Sequence, residues 1–382
     1  MASFRKRGNK YEYRIMYTDS TGQKNPYSKG GFHTKAAAES AASKIEELIE
    51  RGGNPFEVDV MFLDYWDKWV ETYRTGDVAD ITEYRYRLIR KHLNTSFAGR
   101  ELRSIKPLEW QQFLNEFASG KDRPNKKERS KDMVSKVNGY VRSMVKSAIN
   151  QQILFSDFTF DAKPRGREES DKVRFIEADT FAHIKQLAHD AINYGNVSML
   201  AIYIGCMTGM RVSEVCALTW AEIDTDKRLI HVKRSWNNTT KRFKPTKTKS
   251  SVRDIEVSTE VIEVLQQYHT EQRTAYLKTG YRDDKNMIFR TRYHTVITDA
   301  SINKILRGLE SSINIPDEDQ ITFHGLRHSH VSFLISHDVD IYYISKRLGH
   351  KDITITMKVY GHLLDKRRKQ EADKAVSLLD AL

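Results

Sequence analysis

ITFHGLRHSHVSFLISHDVDIYYISKRLGHKDITITMKVYGHLL, residues 321–364, gathers His324, Arg327, His350 and Tyr360 into one stretch. A further arginine, Arg211, follows the turn Thr208-Gly209-Met210 far upstream. The set suits chemistry on a phosphodiester. In-line attack at phosphorus puts extra negative charge on the non-bridging oxygens, where guanidinium and imidazole donors stabilise the transition state. The planar fork of arginine binds two oxygens at once, which lysine cannot do. A tyrosine hydroxyl can act as nucleophile and divide one hard step into two through a covalent intermediate. Its ordinary pKa of about 10 calls for cationic neighbours or a base at neutral pH. Any one of these residues alone would pass as surface or structural; their joint order points to a site.

Working outward, His324 and Arg327 are three apart and share one helix face. His350 follows Gly349 at a turn, and residues 351–359 can form the short helix that delivers Tyr360. Tyr342 and Tyr343 fall in a periodic apolar helix and read as packing, and His328, His330, His337 and His362 read as non-catalytic. Upstream, residues 198–207 read as a buried helix and 211–220 as the next, with Gly209 allowing the sharp entry between them. Residues 229–232, 240–243 and 252–257 read as short strands with turn chemistry at Asn237-Asn238.

With these segments in place, TGMRVSEVCALTW (208–220), HGLRHSHVSFL (324–334) and LGHKDITITMKVYGH (348–362) resemble the boxes of the tyrosine recombinases of the phage and conjugative-transposon integrase type. The resemblance implies a catalytic set of Arg211, His324, Arg327, His350 and the nucleophile Tyr360, with Glu214 supporting Arg211. The family's hairpin lysine matches Lys247 in KPTKTKSSVRDIEV (244–257), with Lys244 and Lys249 close beside it. It implies a 3′-phosphotyrosyl intermediate, Lys247 as general acid for the 5′-oxygen, His324 aiding proton movement at the tyrosine and His350 donating to the phosphate. Energy kept in the covalent link means neither cofactor nor metal is expected, and no GxxxxGK[ST] occurs. Two other classes stay open: a type IB topoisomerase, separated by strand exchange between two marked sites, and a non-enzymatic DNA-binding regulator, separated by a trapped covalent adduct.

Charge agrees with a polyanionic partner, double-stranded DNA. The 382 residues carry a formal charge of +12 and a pI near 9.4. The charge is clustered. Arg5, Lys6, Arg7, Lys10, Arg14, Lys24, Lys29 and Lys35 face only Glu12 and Asp19 between residues 1 and 35. Lys121, Arg123, Lys126, Lys127, Arg129 and Lys131 form a second cluster inside an otherwise helical region. Both can neutralise phosphates and release counterions.

Residues 10–17 alternate, with Tyr11, Tyr13, Ile15 and Tyr17 on one face, and 24–32 can form further strand. Thr34 caps an alanine-rich helix closed by Gly52-Gly53. A small basic sheet with one helix resembles the arm-type DNA-binding domain of such integrases. Phe62, Tyr65, Trp66 and Trp69 repeat at helical spacing, as do Val137, Val141, Met144, Val145 and Ala148, and read as core. The fold class expected is multidomain, mainly α with small β-sheets. Its parts are an arm-binding sheet and helix at 1–55, a helical core-site domain at 56–160, a linker at 161–172 and a mixed α/β catalytic domain with a C-terminal tail at 173–382. Ala372, Ala375, Val376 and Leu379 make an apolar stripe in that tail.

Cys206 and Cys216 lack metal-ligand spacing and read as buried free thiols of a reducing compartment. No apolar run is long enough to cross a bilayer and no h-region opens the chain, so a cytoplasmic protein with access to the nucleoid and no membrane partner is expected. The resemblance further implies a homo-oligomer, a tetramer on two duplexes in synapsis, with accessory excision or DNA-bending proteins.

Overall fold

The computed structural model describes residues 1–19, 22–57, 60–76, 80–168, 174–246, 248–354, 356–357, 360, 372–373 and 376–380, with only the backbone of Asp80, Ile81 and Lys249. The chain forms two compact units, Met1–Ser170 and Asp171–Leu382. It is mainly helical with small antiparallel sheets.

In the first unit, β1 (Ser3–Arg7), β2 (Lys10–Thr18) and β3 (Lys24–Phe32) pair antiparallel in that order. β1 escapes the sequence reading because only Phe4 marks its inner face; it faces Tyr13 across the pair. Tyr13, Ile15 and Tyr27 are buried against Ala38, Ala42, Ile45 and Leu48 of α1 (Lys35–Glu50). The small alanines let this helix lie close to the sheet, and the Ala37 N–H donates to the Thr34 hydroxyl at its start. The other sheet face carries Arg5, Arg14 and Glu12, and Glu12 accepts ion pairs from Arg5 and Arg7. Arg5, Lys6, Arg7, Lys10, Arg14, Lys24 and Lys29 are all exposed.

Four helices follow: α2 (Phe62–Tyr73), α3 (Asp80–Phe97), α4 (Pro107–Ser119) and α5 (Lys131–Asn150). Trp66, Trp69 and Trp110 are buried among them, as packing requires, and the Trp110 indole donates to Asn138 at 2.8 Å. The basic cluster interrupts the helical region: residues 121–130 connect α4 to α5 after Gly120 ends α4, and Lys131 opens α5. Arg129 turns inward, pairing with Asp122 at 2.6 Å and donating to the Phe117 carbonyl, so it is no phosphate ligand. Lys121, Lys126 and Lys127 stay exposed, and Arg123 donates to the Lys127 carbonyl.

In the second unit, α6 (Ala178–Asp190), α7 (Val197–Thr208) and α11 (Phe323–Ser336) pack together, with α10 (Asp299–Ser312) against α7. α7 is apolar all round and buried on nearly every side. The helix expected over 211–220 is only α8 (Val212–Val215). Beyond it Leu218 and Trp220 exchange backbone bonds with Ile288 and Asn286, so tertiary pairing overrides helix propensity. The strands are β4 (Ile223–Asp224), β5 (Leu229–Val232), β6 (Arg234–Asn237), β7 (Arg242–Pro245) and β8 (Arg253–Glu256). They make two sheets, β4-β5-β8 and the hairpin β6-β7, with β4 and β6 additional to the three strands expected. The long α9 (Thr259–Thr279) follows.

In α12 (Ile341–Leu348) the buried residues are Ile344, Ser345 and Leu348. Tyr342 and Tyr343 point to solvent, correcting their reading as packing. Val376, Leu378 and Leu379 of the tail are exposed, and Ala375 lies outside the described residues. Among the described residues no helix is long and apolar enough to cross a membrane.

Candidate active site

The site is built where the ends of two helices, α7 and α12, meet α11. α7 ends at Gly209, whose φ of +64° suits a residue without a side chain, and a Cβ there would lie 2.8 Å from the His330 ring. α12 ends the same way at Gly349, φ +67°, against the Ser250 carbonyl. Arg327, on α11 and 3% exposed, holds both ends together: Nη1 donates to the Gly209 carbonyl at 2.7 Å and Nη2 to the Leu348 carbonyl at 2.8 Å. Among the described residues its remaining N–H groups have no hydrogen-bond partner.

Two residues past Gly209, Arg211 caps α8. Its Nη1 donates to Glu214 Oε1 at 2.8 Å and its backbone N–H to Oε2 at 3.0 Å. The same carboxylate receives Arg253 Nη2 at 3.0 Å. Arg253, on β8, is nearly buried and also donates to the Arg347 and Ser251 carbonyls. Burial alone would raise the Glu214 pKa, but Arg253 and then Arg211 outweigh it and hold the group below the ordinary carboxylate value. The guanidinium of Arg327 is drawn down to about 9, by burial first and by Arg211 and Arg253 next, with Glu214 opposing. Arg211 and Arg253 thus share one buried carboxylate, and Arg327, close enough to feel all three charges, leaves the cluster with an excess of positive charge. An anion with several oxygens would relieve it.

Three imidazoles border this charge. His350 Nδ1 meets the Thr356 hydroxyl at 2.7 Å. Its pKa falls to about 4 through burial, then Arg327, Arg211 and Arg253. His324 keeps an open face to solvent, yet the protein packed around it and then Arg327 and Arg211 hold its pKa below the ordinary value. His328, set aside by the sequence reading, lies with Nδ1 2.5 Å from the Tyr360 hydroxyl. Its pKa falls to about 4, from burial first and then His324 and Arg327. Tyr360 is 2% exposed, and burial raises its pKa against the opposing charge of Arg327. His330 is buried with Nδ1 2.8 Å from the Cys206 carbonyl.

The structure therefore brings together Arg211, Glu214, His324, Arg327, His350 and Tyr360. Lys247 and His362 lie outside the described residues; the flanking Thr246 and Thr248 are on the connection from β7 to β8, past the hairpin turn. Sequence reasoning missed Arg253 and His328. Arg253 stands within the quoted stretch 244–257, and its only signal there is an arginine on a strand that alternates with Ile255. Cys206 and Cys216 are buried free thiols whose pKa burial pushes up to about 12.

Comparison with known proteins finds three matches to family models. The phage integrase family matches residues 174–367, an arm DNA-binding domain 3–49, and a phage integrase N-terminal SAM-like domain 61–118. A tyrosine recombinase XerC-like protein of Caldanaerobacter subterraneus is 24% identical, with 95% of each chain covered. The integrase of Staphylococcus phage L54a is 24% identical over 88% of this chain and 98% of its own. Among solved structures, the Tn1549 transposon integrase in complex with transposon right end DNA superposes with a TM-score of 0.66 at 18% identity, covering 82% of this chain and 99% of that one. A lambda integrase dimer bound to a core site gives 0.56 at 17% identity, with 93% of each covered.

Proposed function

The chain belongs to the phage integrase family of tyrosine recombinases, enzymes that break and rejoin DNA strands, and from that premise we propose that Tyr360 is its nucleophile and that Arg211 and Arg327 bind the scissile phosphate. As a site-specific integrase it acts in DNA recombination of a mobile element. The observation that carries the assignment is the pair of guanidiniums, Arg211 and Arg253, on the single carboxylate of Glu214, with the buried Arg327 in the same charge cluster and Tyr360 buried against His328 of the Arg327 helix. In this reading Tyr360 forms a 3′-phosphotyrosyl link while the 5′-oxygen leaves. His350 is a further donor to the phosphoryl oxygens, His324 aids proton movement on the tyrosine side, and the 5′-hydroxyl of a partner strand reverses the step. Arg253 touches no DNA in this scheme; it fixes Glu214, which fixes Arg211.

Lys247 is proposed as the general acid for the departing 5′-oxygen. Lys247→Ala is expected to slow cleavage of an ordinary strand by about 10²–10⁴-fold and to leave a strand with a 5′-bridging phosphorothiolate, whose sulfur leaves unprotonated, nearly unaffected. Equal slowing of both substrates contradicts the role. Lys249→Ala, measured beside it, separates the two lysines.

The substrate proposed is duplex DNA carrying two kinds of site. The neighbouring structures are of a transposon integrase in complex with transposon DNA and of lambda integrase as a dimer on a core site and a tetramer on a Holliday junction. We extend those assemblies to this chain: a tetramer in synapsis, with accessory excision or DNA-bending proteins, acting at the nucleoid. The exposed basic sheet of residues 1–55 is assigned to arm sites, and Lys121, Arg123, Lys126 and Lys127 to the core site. A fragment of residues 56–382 is expected to cleave core DNA while losing protection of flanking sequences in a footprint. Loss of core cleavage with every flanking footprint retained would refute the arm assignment.

A further inference from the structure

The nucleophile's hydroxyl has one described side-chain partner, and it is none of the residues assigned above. Tyr360 is buried, and His328 Nδ1 lies 2.5 Å from its Oη. His328 sits on α11 directly after Arg327 and one turn past His324, whose ring meets it edge-on at 4.7 Å between centroids. The helix that presents an arginine to the phosphate thus presents an imidazole to the nucleophile.

We infer that His328 is a catalytic residue that holds the Tyr360 hydroxyl and accepts its proton as the phosphotyrosyl bond forms. The inference rests on the reading of Tyr360 as nucleophile. With the His328 ring proton on Nε2, Nδ1 accepts the phenolic O–H. In the step the Oη–H proton passes to Nδ1, the Oη–P bond forms, and the P–O5′ bond breaks with its electron pair on the 5′-oxygen, which takes a proton from the general acid. His328 is left as imidazolium and returns the proton to Oη when a 5′-hydroxyl reverses the reaction, so no co-reactant is consumed.

The surroundings fit a base of this kind. Burial, His324 and Arg327 favour the neutral ring, which is the form able to accept. The phenol needs the help, since burial pushes its own pKa above the ordinary value. The charged and titratable groups facing His328 are His324 and Arg327 from its own helix, Tyr360 across the 2.5 Å contact, and His350 beyond Gly349.

The test uses the full chain and a nicked suicide duplex carrying the end sequence of the element, recovered from DNA flanking the gene. Two variants are compared with wild type in single-turnover cleavage. His328→Asn places Oδ1 where Nδ1 stood and keeps an acceptor that cannot take the proton; His328→Phe keeps the ring and removes the acceptor. Slowing by about 10²–10⁴-fold is expected in both, with gel-shift affinity for the duplex kept. In His328→Asn the residual rate should climb about tenfold per pH unit through neutrality, because the phenolate must then arise by free ionisation. A wild-type rate in His328→Asn overturns the inference, whatever His328→Phe does. So does slowing with the wild-type pH profile, which would reduce His328 to a packing contact. Failure of the nucleophile assignment itself is distinguishable: wild type would then form no adduct at Tyr360.

Discussion

Tyr360→Phe is expected to abolish covalent attachment to DNA while leaving duplex affinity within about twofold. Only the Oη atom is removed, and the phenyl ring fits the buried place the tyrosine ring holds beside Val331, Ile335, Ile344 and Leu348. The lost contact is the one to His328, worth about 1 kcal/mol in a folded protein, so the fold should survive. The DNA affinity proposed above for the basic surfaces and for Arg211 and Arg327 is untouched, since none of these changes. A suicide-substrate assay beside a gel shift reads both quantities. Persistent adduct in the variant would move the nucleophile elsewhere.

Glu214→Ala should have the second-largest effect, and on two quantities at once. The carboxylate is almost fully buried and pairs with Arg253, itself nearly buried, and with Arg211. Removing one partner of a buried pair strands the other charge and costs about 3–5 kcal/mol. The loss should appear as weakened hydrogen-exchange protection in peptides covering α7 and α12, the helices whose ends meet at the site. Cleavage should fall as well, because Arg211 loses both bonds that set its direction. Glu214→Ala combined with Arg253→Leu removes both members of the buried pair and should recover much of the protection but not the cleavage. Unchanged protection in Glu214→Ala would show that the carboxylate does not hold the site together. The pH dependence has a definite sign. The Glu214 pKa is lowered on folding, so its contribution to stability is present above the unfolded-state pKa of about 4.3 and is lost as pH falls through the folded value.

What could be read from sequence was local. The alternation of residues 10–17, the cap at Thr34 and the apolar run of α7 depend on neighbours in the chain, and each became the element expected. The motif residues Arg211, Arg327, His350 and Tyr360 could be picked out together because their types and order match the boxes of the family, and the structure gathers them in one place. What failed depended on distant partners. The helix after Arg211 stops because Leu218 and Trp220 bond to Ile288 and Asn286, some seventy residues on. Arg129 looked like one more phosphate ligand until Asp122 and the Phe117 carbonyl turned it inward. Tyr343 looked like core, yet its hydroxyl reaches Glu256 at the surface. Arg253 and His328 carry only weak local signals, a strand alternation for one and a helical turn from His324 for the other. Their places follow from which residue stands opposite, Glu214 for one and Tyr360 for the other.

Mapping the covalent adduct tests the account most directly. Wild-type chain trapped on a nicked suicide duplex, digested with nuclease and trypsin and read by mass spectrometry, should carry its nucleotide on Tyr360 within tryptic peptide 359–366, joined through the 3′-phosphate and leaving a free 5′-hydroxyl on the released strand. A nucleotide on the peptide of the exposed Tyr342 or Tyr343, or a link through a 5′-phosphate, would contradict it.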